Sequence, residues 1–151
     1  LSSTNGPEID KHLKKYEVLA AMQAKEPNAW QLIGALIEQM GWSITKFCNR
    51  SLLDKGYYYK AKRGDITPPT LPILMAICIA MALDMESAER LMSAAGIKLS
   101  TAIPLHRAYM YILNHLSGQS IYVCNNFLKR LGFGELGSQD YPKQTSLVTA
   151  Y

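Results

Sequence analysis

Apolar residues recur along this chain at intervals of three and four, the spacing that collects them on one side of a helix. Over residues 8–24 the apolar positions are Ile9, Leu13, Tyr16, Ala20 and Ala24, which predicts a long leading helix behind the polar lead-in of residues 2–7. Asn28 followed by Gln31 is a capping-box pattern. It opens a helix with Trp30, Ile33, Leu36, Ile37 and Met40 on one face, closed by Gly41. Ser43 caps a short helix holding Ile44, Phe47 and Cys48, and Asp54 caps another that ends at Gly64. Thr67-Pro68-Pro69-Thr70 is a loop with a restart signal, because proline is tolerated in a helix's first turn. Residues 71–83, LPILMAICIAMAL, contain no charge and predict a helix buried on most sides. Asp84 caps a helix over 85–95, with Glu86 and Arg90 spaced as an i,i+4 pair and Gly96 as its stop. Pro104 starts a helix to about residue 116, and Ser120 caps one to about residue 131. No convincing strand pattern occurs.

The expected architecture is therefore all-α, with seven or eight short helices. The divisions are an N-terminal helix and lead-in (1–27), a five-helix section (28–97), a helical hairpin (98–133) and a loosely held tail (134–151). A chain of 151 residues is long enough for one ordinary core or two small ones. The 13 uncharged residues of 71–83 are too few to span a bilayer, which needs about 20. No signal peptide is recognisable. The chain does not begin with Met, as expected of a fragment or a processed chain. Three widely spaced cysteines, Cys48, Cys78 and Cys124, form no CxxC and fit reduced core thiols in a cytoplasmic protein.

The net charge of +4 is concentrated. Between Ser43 and Ile66 stand six basic residues (Lys46, Arg50, Lys55, Lys60, Lys62, Arg63) against two acidic ones (Asp54, Asp65). A local basic patch suits a polyanion such as nucleic acid; its alternative is a solvated helix face.

The same stretch, SITKFCNRSLLDKGYYYKAKRG, reads as a capped helix, a short turn and a second capped helix. It resembles the lambda-repressor-like (Xre-type) helix-turn-helix DNA-binding family. Phe47 and Cys48 stand at the family's apolar positions in the first helix, and Leu53 ends the turn. Asp54 caps the second helix, Tyr58 and Ala61 fill its inner face, and Gly64 closes it. The family's five-helix order also matches residues 30–96. One departure is Leu52, where the family usually has glycine. A left-handed leucine costs roughly 1 kcal/mol or more, so a differently built turn is expected. The loop before the buried helix is one residue longer than the family pattern. With RAYMYIL and NNFLKRLG in the hairpin, the whole chain looks like the larger helix-turn-helix regulators of Gram-positive bacteria. The resemblance implies a sequence-specific double-stranded-DNA-binding regulator, with residues 55–63 as the recognition helix in the major groove.

Three consecutive tyrosines in that helix cannot all face one core, since neighbours are turned by about 100°. With Tyr58 inward, Ala61 is inward too; Gly56, Lys60 and Arg63 point away, and Tyr57 and Tyr59 flank that outer face. The expected base-reading residues are Lys55, Gly56, Tyr59 and Lys60. Lysines would donate to guanine O6/N7, Tyr59 would meet a thymine methyl or a phosphate, and Gly56 would let the backbone approach the bases. Expected phosphate contacts are Ser43, Lys46, Arg50, Asp54, Tyr57, Lys62 and Arg63, those of Ser43 and Asp54 through helix-start N–H groups. The alternative for the tyrosines is packing.

His106 and His115 are nine apart on one helix and His12 is distant, which argues against a shared metal. No GxGxxG, Walker, GxSxG or HExxH motif occurs, and no catalytic site, cofactor or small-molecule pocket is read. The expected partners are duplex DNA and, through the hairpin or the leading helix, a second copy of the chain. The competing expectation is a protein-interaction module, an antitoxin or adaptor, built on the same skeleton.

Overall fold

The computed structural model describes residues 6–23 and 26–137, and every regular element among them is helical. In chain order these are α1 (Gly6–Gln23), α2 (Ala29–Met40), α3 (Ile44–Ser51), α4 (Lys55–Arg63), α5 (Leu71–Ala80), α6 (Met85–Ala94), α7 (Pro104–His115) and α8 (Ile121–Arg130). Their starts follow local chemistry. Asn28 and Gln31 form the reciprocal capping box, each bond 2.8 Å long. Ser43, Asp54, Asp84 and Ser120 each accept an N–H of the following first turn. α5 and α7 have no side-chain cap and carry proline in the first turn instead.

α5 is the centre. Every residue from Leu74 to Ala80 is buried, and α3, α6, α7 and α8 pack around it. It ends at Ala80, three residues earlier than its apolar run, because Ala82 turns left-handed at φ 53° and leads Leu83 back into the core. α2 lies between α1 and α4 and also meets α6. One continuous cluster of buried side chains runs from Leu19 to Leu136, so the leading helix and the hairpin share the core of the five-helix section.

Two expectations are corrected. On α1 the apolar stripe does not all turn inward: Ile9 and Leu13 are exposed, while Leu19 and Lys15 are buried. The cause is a polar arrangement. Lys15 Nζ donates to the Met81 carbonyl at 2.6 Å, capping the C-terminal end of α5, where a cation is favourable. Tyr16 lies under the Arg90 guanidinium of α6, 4.4 Å from ring centroid to Cζ, and Arg90 also donates to its hydroxyl. The tail is the second correction. Residues 134–137 are tied back: buried Asn125 pairs with Leu136 through bonds of 2.7 and 3.0 Å, and Leu136 is buried. The rest of the expected tail, from residue 138, lies outside the described residues, as do Ala24 and most of the lead-in.

Candidate nucleic-acid interface

The segment from Ser43 to Gly64 is held by its own capping bonds and by two layers of aromatic packing. Ser43 Oγ accepts from the Lys46 N–H at 3.1 Å, starting α3. Phe47 is completely buried beneath it. At the other end buried Ser51 serves both sides of the turn, its hydroxyl donating to the Phe47 carbonyl at 2.7 Å and accepting from the Leu53 N–H at 3.2 Å. Leu52 closes α3 through its N–H to the Cys48 carbonyl, at 2.9 Å.

Leu52 corrects a further expectation. The turn is not built around its side chain; it is left-handed, with φ 59° and ψ 27°. The strain of roughly 1 kcal/mol is offset by what flanks it. Leu53 is fully buried, Leu52 packs against the core, and Gly137 sits close on the Leu52 backbone, where a side chain would be tight. A Cβ at Gly137 would lie 3.1 Å from Leu52 Cβ and 3.2 Å from its carbonyl oxygen.

α4 starts where Asp54 Oδ1 accepts the Gly56 N–H at 2.9 Å. It is pressed onto α2 where Gly34 meets the Ala61 backbone; a Cβ on Gly34 would stand 2.4 Å from the Ala61 carbonyl oxygen. Gly64 ends the helix left-handed at φ 64°. Asn28 Nδ2 donates to its carbonyl at 3.2 Å, so the cap of α2 also fixes the exit of α4.

The tyrosines divide two to one. Tyr58 packs edge-on against Phe47 at 5.8 Å and is half-buried, as the inward position requires. Tyr57 is half-buried as well, stacked on Trp30 at 6.2 Å, while the Trp30 indole donates to the Thr67 carbonyl. Tyr57, of which a phosphate contact was expected, thus packs on Trp30 with part of its surface exposed. Tyr59 alone stands out, half exposed, with its ring edge-on to Tyr58 at 5.6 Å. Lys55, Gly56 and Arg63 are exposed and Lys60 is half-buried. Gly56 has open space outward, its nearest prospective Cβ contact being the flexible Asp54 carboxylate at 3.1 Å. α7 and α8 pack on α5 and α6 and leave this face uncovered.

Charge is distributed less evenly than a count suggests. Asp65 lies 3.7 Å from Lys60 and 3.4 Å from Arg63. Lys62 is bonded to Glu38 of α2 at 2.6 Å; that contact holds the Glu38 carboxyl below its ordinary range and raises the Lys62 ammonium. Lys46 and Arg50 project from α3 over the Trp42 ring, 5.4 and 5.8 Å from its centroid. They meet Lys11, Lys14 and Lys15 of α1 across a groove, a gathering not read from the sequence. Their i, i+3, i+4 spacing on α1 was the available signal.

His106 Nδ1 accepts from the Ser100 N–H at 3.0 Å, and His115 lies against the Tyr111 ring. Among the described residues no three His, Cys, Asp or Glu side chains gather where a metal could be held, and no helix is long and apolar enough to cross a membrane. Burial raises all three cysteine thiols, Cys78 to about 12 and Cys124 to about 11. Comparison with protein-family models, with curated proteins and with solved structures gives no match for this chain.

Proposed function

We propose that this chain is a sequence-specific double-stranded-DNA-binding regulator, repressor-like, in which α3 and α4 act as a helix-turn-helix within the five-helix section α2–α6 and α4 enters the major groove. The observation that carries this reading is the outer face of α4, where Lys55, Gly56 and Tyr59 are exposed together on a helix anchored from beneath by Tyr57, Tyr58 and Ala61. A reading helix needs that combination of an open face and a rigid seat. Lys55 and Lys60 would donate to guanine, Tyr59 would touch a thymine methyl or a phosphate, and Gly56 would admit close approach, each good base contact giving about 1–3 kcal/mol of discrimination. Ser43 and Asp54 present helix starts to phosphates, and Lys46, Arg50 and Arg63 supply charge. Lys62 and Tyr57 we assign to seating α4 on α2.

Such a domain contacts few base pairs, so specific affinity calls for two copies on a palindrome with half-sites about 34–36 Å apart. The hairpin offers exposed Tyr111, Val123 and Leu131 as a pairing surface. Elution as a strict monomer at every concentration would remove the pairing.

Selection from a pool of random duplexes tests the central claim. A palindromic consensus should emerge, broadened by Lys55→Ala and Tyr59→Ala, while Lys46→Ala should weaken all sequences alike. A pool with no enriched sequence would refute the reading. A second reading, a protein-interaction module, is favoured by one observation: the carboxylates of Asp65 and Glu38 face three of the four cations of α4, beside an exposed tyrosine. Salt separates the two. DNA binding should weaken with a log–log slope of about −0.9 per phosphate neutralised, whereas a tyrosine-centred protein contact should barely respond.

A further inference from the structure

The groove between α1, α3 and the end of α5 has a composition that the reading of α4 does not need. It encloses about 320 Å³ and is lined by Lys11, Lys14, Lys15, Lys46, Arg50 and Trp42, with no acidic residue in its wall. None of the five cations forms an ion pair with a carboxylate among the described residues, although Lys60, Lys62 and Arg63 of α4 all do. Lys15 is buried and donates to the Met81 and Ala82 carbonyls, at 2.6 and 3.4 Å. It neutralises the negative end of α5, which would otherwise face any anion entering here. Lys46 and Arg50 are held over the buried Trp42 ring, which limits the freedom they would lose on binding. Burial, and after it the charge of Lys11, lowers the Lys15 ammonium to about 8 against the opposing pull of Asp84 and Glu8.

We propose that this groove is a binding site for a multivalent phosphate anion of the di- or triphosphate type, held by Lys11, Lys14, Lys46 and Arg50. The volume falls at the lower end of small-molecule sites, far more than a monovalent ion needs. Four outward cations without internal counter-charge call for several negative charges on a small body. The arginine fork and the ammonium groups match phosphate oxygens in geometry and hydration. The Trp42 ring is covered by its own cations, so recognition is by charge and not by stacking of a base.

The test is calorimetric titration of the whole chain with inorganic pyrophosphate and with tripolyphosphate, at constant ionic strength in chloride. The expected result is one saturable site, tighter for tripolyphosphate, and weakened at least tenfold by Lys11→Gln/Lys14→Gln. Lys98→Gln/Lys129→Gln, with the same net charge, should bind as the parent chain does. No saturable binding, or equal weakening in both double variants, overturns the proposal. A further arm identifies the source of the phosphate. If a short duplex of arbitrary sequence displaces pyrophosphate from the parent chain, the groove takes the DNA backbone; if both bind together, it takes a free oligophosphate. Because the titration itself contains no DNA, failure of the regulator reading leaves it intact, and its own failure leaves the face of α4 untouched.

Discussion

Gly34→Ala is the most direct probe of how α4 is seated. In an unpacked helix interior the change would stabilise by about 1 kcal/mol, because alanine is the better helix former. Here the new Cβ would stand 2.4 Å from the Ala61 carbonyl oxygen, roughly 1 Å inside ordinary van der Waals contact. The obstacle is backbone and cannot rotate away. The same carbonyl accepts the Gly64 N–H at 3.2 Å, so moving it also disturbs the cap of α4. Overpacking of this kind costs about 1–3 kcal/mol, and a rigid neighbour argues for the upper end, leaving a net loss of about 1–2 kcal/mol. With a slope of about 2 kcal/mol per molar urea, the middle of the usual range, the midpoint should fall by about 0.5–1 M at unchanged slope. Gly56→Ala is the control, since its Cβ meets only the flexible Asp54 side chain at 3.1 Å, and it should leave stability equal or raised. A Gly34→Ala chain as stable as the parent, followed by circular dichroism in urea, would show that the α2–α4 approach is not a tight backbone contact and would undo the argument for a rigid seat.

Gly137→Ala should destabilise by about 1 kcal/mol or more, from a φ of 131° unsuited to alanine and a collision with Leu52; an unchanged unfolding midpoint would show that the chain after α8 does not brace the turn. Lys15 gives a pH signature. With its folded value at about 8 and an unfolded value of about 10.4, the unfolded chain binds more protons between them, so this group makes stability rise with pH across that window, its penalty being complete below about pH 8. The raised thiols act oppositely above about pH 8.5, because the unfolded chain loses their protons first. The difference in unfolding free energy between the parent and Lys15→Met, measured from pH 7 to 10, isolates the lysine and should climb towards the parent; a flat difference refutes its assignment. If α3 meets the DNA backbone, Lys46→Ala and Arg50→Ala should each reduce the salt slope of duplex binding by about 1, read from affinities at several salt concentrations.

The helices and most of their boundaries were legible because the signals are local. Asn28 with Gln31, Ser43, Asp54, Asp84 and Ser120 cap the backbone within three residues of themselves, and Gly41 and Gly64 end helices by a conformation that belongs to glycine. A run such as 71–83, without a charged residue, has nowhere stable to go but a core.

What depended on distant partners was not legible. The inward turn of Tyr58 is read from helix angles, but the covering of Tyr57 follows from Trp30, 27 positions away in the chain. Leu52 turns left-handed because Leu53, Ser51 and Gly137 hold it there, a cost that local sequence argues against and packing overrides. Lys62 looked like a free charge until Glu38, 24 positions away in the chain, was placed beside it, and the lysines of α1 meet α3 and the end of α5 across a groove only in the folded chain. Periodicity reports which side of a helix is apolar. Only the packing of helices decides which polar groups are brought face to face, because electrostatic contacts are made across space between residues far apart in the chain.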